Sequence, residues 1–104
     1  MICCSFIFEP GDYDDDFHRL DAAIAEYARS LPGLVTIEQW QSEDGRLRNA
    51  MYFFEDEASV SQLARFPDHL QAKELHSRWY RSYRVNIMTV SATYGSTPDP
   101  LASA

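Results

Sequence analysis

Residues 34–54 constrain the fold more tightly than any other stretch of the chain. Two runs rich in strand formers, Leu34 to Gln41 (LVTIEQWQ) and Leu47 to Phe54, flank Ser42-Glu43-Asp44-Gly45-Arg46. Asp44-Gly45 is a pair that a primed turn selects, because glycine enters positive φ without steric penalty. The segment therefore reads as an antiparallel hairpin. A two-stranded hairpin is barely stable alone in water and needs more strands or a covering helix. The flanking sequence must supply both.

It does so twice. Ile2 to Phe8 (ICCSFIF) is apolar on both faces and reads as a central strand, ended by Glu9-Pro10-Gly11. Asp12, Asp14, Asp15 and Asp16 then open a helix, where carboxylates cap free N–H groups and meet the positive end of the helix dipole. Phe17, Leu20, Ile24, Tyr27 and Leu31 recur at helical spacing as one apolar stripe; Arg19, Asp21, Glu26 and Arg29 fall outside it, towards solvent. Pro32-Gly33 stops the helix. After the hairpin, Glu55-Asp56-Glu57 open a second helix with Val60, Leu63, Ala64 and Phe66 on its buried side. Pro67 breaks it, and a fresh helix starts from Asp68 as cap. Tyr83 to Tyr94 reads as the last strand. The order β-α-β-β-α-β predicts an α+β, ferredoxin-like antiparallel sheet with both helices on one face. Residues 1–94 form this domain, and 95–104 (GSTPDPLASA) read as a flexible tail. The other sheet face, with Trp40, Met51 and Phe53 among its candidates, is too apolar for water and predicts a homodimer, sheet against sheet.

Charge and cysteine content exclude several function classes. A net charge of −7 over 104 residues opposes nucleic-acid binding, which needs a basic face. Cys3 and Cys4 are adjacent, point to opposite faces of a strand, and read as buried thiols, neither disulfide nor metal ligands. No apolar run approaches the ~18 residues of a spanning helix, so no membrane partner is expected, and the location expected is cytoplasmic.

The chemistry-bearing residues concentrate between His69 and Arg84. This stretch holds His69, His76, Trp79, Tyr80, Tyr83, Arg81 and Arg84. From Arg65 to Arg84, five basic residues stand against Asp68 and Glu74, so a small anionic ligand is conceivable here. Histidine is suited to act as a base near neutral pH, and His69 lies just past the helix break. Asn49 and Asn86 are amides inside apolar strands, which must find hydrogen-bond partners.

Pro32-Gly33-Leu34, the Asp44-Gly45 hairpin, Phe53-Phe54-Glu55-Asp56-Glu57-Ala58-Ser59, Phe66-Pro67-Asp68-His69-Leu70-Gln71-Ala72, Trp79-Tyr80 and Tyr83-Arg84-Val85 together resemble the antibiotic biosynthesis monooxygenase family of dimeric α+β barrels. The resemblance covers Pro32–Tyr94 best. It implies a homodimer whose sheets close a barrel, and a pocket between sheet and helices in each subunit. Some members oxygenate aromatic polyketides without metal or flavin; others bind haem and open its ring. Haem degradation is disfavoured, because Ser5 or Phe6, Leu63 and Lys73 stand where such members carry Asn, Trp and His. The function implied is a cofactor-independent monooxygenase using O₂ on a small aromatic or quinone-like substrate, with no cofactor and no metal. His69 is the expected base, Arg84 and Asn86 the anion stabilisers, and Trp79, Tyr80, Asn49 and His76 the substrate-binding residues. The alternative is a ligand-binding or stress-response dimer without catalysis.

Overall fold

The computed structural model describes residues 1–96; the rest of the expected tail, 97–104, lies outside the described residues. In chain order the elements are β1 (Ile2–Pro10), α1 (Asp15–Ser30), β2 (Leu34–Gln41), β3 (Arg48–Phe54), α2 (Glu57–Ala64), α3 (Pro67–Glu74), α4 (His76–Trp79) and β4 (Tyr80–Thr89). The four strands form one antiparallel sheet in the order β2-β3-β1-β4, the ferredoxin-like arrangement. Among the described residues no helix is long and apolar enough to cross a membrane.

Local chemistry explains most boundaries. Asp14 caps α1 by accepting the Phe17 N–H at 2.9 Å, and Asp56 caps α2 by accepting the Ser59 N–H at 2.9 Å. Three expectations are corrected. The hairpin turn is not a two-residue primed turn: Gly45 alone takes positive φ (73°), and its N–H closes a Ser42–Gly45 turn at 2.9 Å. Asp44 instead ties the loop from within, accepting from Ser42 Oγ and the Arg46 N–H. Pro67 is itself the first residue of α3, with Phe66 rather than Asp68 at the cap position. Proline fits there because its missing N–H has no helical partner to lose. The last strand runs earlier than expected, Tyr80–Thr89 instead of Tyr83–Tyr94.

Register assigns each side chain to a face. Ile2, Cys4, Phe6 and Phe8 of β1 pair with Phe54, Tyr52, Ala50 and Arg48 of β3, on the side covered by the helices. Cys3, Ser5 and Ile7 pair with Phe53, Met51 and Asn49 on the open side, where β2 adds Thr36, Glu38 and Trp40. Leu20, Ala28, Phe54 and Trp79 are at most 1% exposed and form the core between α1 and the sheet. Phe66 stacks on Tyr27 at 4.0 Å, fastening α3 to α1.

Candidate functional site

The helix-side face of β1 is built from aromatic rings. Phe6 and Phe8 stack at 4.9 Å, and Tyr80 meets both edge-on at 5.2 and 5.0 Å. Tyr83 reaches Phe6 at 5.7 Å. From the start of α1, Phe17 and Tyr13 stack at 3.8 Å and lie 6.1 and 6.2 Å from Tyr80. The result is one continuous cluster joining two strands, a loop and a helix. Ala50 and Cys4, small residues, sit beside Phe6 and Tyr52 on the same face.

Tyr80 belongs to this cluster because of a bulge. Glu9 pairs with Ser82 but Pro10 pairs with Tyr80, so Arg81 is the extra residue. Strict alternation would put Tyr80 on the same face as Ser82, Arg84 and Asn86; the bulge turns it to the helix side. Burial drives the Tyr80 hydroxyl far above the ordinary phenol range and raises Tyr52 as well. Both stay neutral hydrogen-bond donors at physiological pH.

The residues singled out by sequence do not assemble in one place. Arg84 pairs with Ile7 and Asn86 with Ser5, on the open face of the sheet, opposite Tyr80. Asn49 is on that open face too, accepting a hydrogen bond from the buried Ser5 Oγ at 2.9 Å. Trp79 is in the core, 1% exposed, with its Nε1–H donating to Asp14 at 2.9 Å, and so offers a ligand almost no surface. His69, on α3, is half-buried with its Nδ1 unpartnered; burial lowers its pKa and favours the neutral ring. Two other histidines approach the cluster: His76 lies 4.8 Å from the Tyr83 ring, and His18 lies 5.4 Å from Phe17. For His76 the tautomer is set by its backbone contact. Its Nδ1 lies 2.7 Å from the Lys73 carbonyl, so Nδ1 carries the proton in the neutral ring and Nε2 is the open acceptor.

One feature escaped sequence reasoning. Phe6, Phe8 and Phe17 read as core or strand residues and Tyr13 was not singled out, yet together with Tyr80 they form the cluster; alternate aromatic positions in β1 were the available signal. Asp21, expected towards solvent, is exposed. Beside the cluster, Gly11, Asp12 and Ser77–Arg81 line an open groove of about 490 Å³. Burial raises both cysteine thiols, keeping them protonated. Among the described residues, no three of His, Cys, Asp and Glu come together as a metal site.

Fold and site together define a small ferredoxin-like α+β protein with an aromatic cluster between helix and sheet and an open groove beside it. Solved structures share that fold. SnoaB, a cofactor-independent oxygenase from Streptomyces nogalater, aligns with TM-score 0.70 and 14% identity over 91% of this chain and 97% of its own. Rv0793 from Mycobacterium tuberculosis gives 0.72 and 14% over 90% and 98%. An antibiotic biosynthesis monooxygenase gives 0.66 and 13% over 88% and 100%. No family model matches the sequence, and no curated protein matches it either. At these identities the likeness establishes the fold, which is the one that the sequence resemblance implied.

Proposed function

We propose that the protein is a cofactor-independent monooxygenase that uses O₂ on a small aromatic or quinone-like molecule bound against the helix-side face of β1 and β4. The observation carrying this reading is the ring cluster of Phe6, Phe8, Tyr80 and Tyr83 with a neutral, buried phenol at its centre. Edge-on and stacked rings favour a flat aromatic ligand, and a neutral hydroxyl donates to a developing oxyanion. The fold shared with a cofactor-independent oxygenase supports it.

The chemistry suits an anthrone. Deprotonation gives an electron-rich anion that passes its electrons to O₂; the ring CH₂ becomes C=O, one oxygen entering the product and the other leaving as water. No external reductant is required. Arg84, Asn86 and Asn49 belong to the open face, which we assign to a homodimer contact. Trp40 is 62% and Met88 42% exposed there, beside Met51 and Phe53. The second reading, a ligand-binding dimer without turnover, uses the same cleft.

The test is oxygen uptake by chelator-treated protein with a panel of anthrones and hydroquinones. Stoichiometric uptake with quinone formation is the expected result. Ligand-dependent tryptophan quenching without uptake would establish the binding reading instead.

A further inference from the structure

The helices leave part of their side of the sheet bare. Tyr83, Val85 and Ile87 of β4 pair with Phe8, Phe6 and Cys4 of β1, so the three project in a row from the helix-side face. They are 40%, 52% and 65% exposed, rising with distance from the ring cluster. β4 is an edge strand, and this apolar strip continues the cluster outward, because the Tyr83 ring lies 5.7 Å from Phe6. His76 stands at the Tyr83 end of the strip. Its ring meets that of Tyr83 edge-on, with centroids 4.8 Å apart and planes at 66°.

The backbone has already chosen which nitrogen of His76 is free. Nδ1 lies 2.7 Å from the Lys73 carbonyl, which can only accept, so Nδ1 carries the hydrogen. The two ring nitrogens lie on opposite sides of the imidazole, so Nε2 points away from the α3 backbone that holds Nδ1. Nε2 makes no hydrogen bond to a described residue and is open to solvent; among the described residues, the buried side-chain polar atom without a partner is Nδ1 of His69. The free nitrogen of His69 is therefore closed to a ligand, and that of His76 is within reach of one.

We propose that His76 is the catalytic base, and that the aromatic substrate lies flat along Tyr83, Val85 and Ile87 with its acidic position at Nε2. This rests on the aromatic-ligand reading above. A flat ring covers an apolar strip of this kind, and the edge of Tyr83 gives it a wall. The step is a proton transfer: the substrate's acidic C–H or O–H bond breaks, an N–H bond forms at Nε2, and the electron pair stays on the substrate. The product is an imidazolium beside an anion, an ion pair that stabilises the charge as it forms. The Lys73 carbonyl supports that state, since the Nδ1–H bond to it persists and strengthens when the ring becomes charged. After O₂ has reacted, the imidazolium returns its proton to the oxygen that departs as water.

The experiment separates binding from deprotonation with two probes. Anthracene, which has no acidic proton, reports binding through its own fluorescence; dithranol under argon reports ionisation through its anion band. Wild type should bind anthracene and develop the band. His76→Gln should bind anthracene within about threefold of wild type, lose the band, and take up O₂ with dithranol roughly 10²–10⁴ more slowly. Val85→Glu, which puts a charge in the strip, should weaken anthracene binding by about tenfold or more. If His76→Gln loses anthracene as well, His76→Ala supplemented with imidazole decides: return of the band supports the assignment, and its absence overturns it. A full band in His76→Gln, a band lost in His69→Ala or His18→Gln instead, or a wild type that binds anthracene without ionising dithranol each overturn the base assignment alone. A wild type that does not bind anthracene overturns the aromatic-ligand reading and the assignment with it.

Discussion

At Asp14 one carboxylate serves two segments. It caps α1 and also accepts the Trp79 indole N–H, while Arg78 closes over it and bridges to Asp16. The Gly11 N–H donates to the Trp79 carbonyl at 2.7 Å, so the β1–α1 loop and α4, which line the groove together, are joined by backbone as well. A second close approach is at Gly33. A Cβ there would lie 1.9 Å from Ser59 Oγ and 2.9 Å from Ser59 Cβ. Its φ is not in the left-handed region, so the restriction is one of space alone. Gly33→Ala should cost about 1–3 kcal/mol, as overpacking does, and lower the melting temperature. Adding Ser59→Ala should recover part of the loss, since the Oγ clash goes and the Cβ contact stays. An unchanged melting temperature in Gly33→Ala would show that α2 yields freely.

Helix caps set the acid response of the elements. Backbone N–H bonds from Phe17 and Ser59 hold Asp14 and Asp56 below the usual carboxylate range. A depressed carboxyl pKa contributes stability above its unfolded value, and that contribution is lost as pH falls through the folded value. His69 acts at higher pH. Burial depresses it, so the neutral ring's contribution is present above its ordinary value of about 6.5 and is lost as pH falls below it. Denaturant melts from pH 8 to 2 should therefore show a first decline beginning below about pH 6.5 and a second below about pH 4. His69→Ala should flatten the first, and Asp14→Asn, which caps without titrating, should shrink the second. A single decline confined to low pH would remove His69 from this account.

The whole molecule has two layers, helices on one face of a single sheet. Helices cover Phe6, Phe8 and Phe54, while the face carrying Trp40, Met51, Phe53 and Met88 has no helix over it among the described residues. Cys3 and Ser5 lie there at 1% and 2% exposure, and the Ser5 hydroxyl donates to Asn49. Pairing that face with a second copy would bury Trp40. Sedimentation should then find a dimer whose dissociation constant rises by at least tenfold in Trp40→Glu. A monomeric wild type at micromolar concentration would leave the open face to another partner.

By itself the sequence determined the element order, the antiparallel sheet and its apolar open face. These follow from local signals: period-two runs, a 3.6-residue stripe in α1, and Gly or Pro punctuation. It also singled out Tyr80, which lies in the aromatic cluster. Only the tertiary structure decided which chemistry shares a face. Tyr80, Arg84 and Asn86 have the same parity in sequence, and one extra residue at Arg81 separates the first from the other two. Phe6, Tyr13 and Phe17 likewise come from separate segments and meet Tyr80 only in the folded chain. A bulge and a convergence of segments are products of long-range hydrogen-bond register and packing, which no local period encodes.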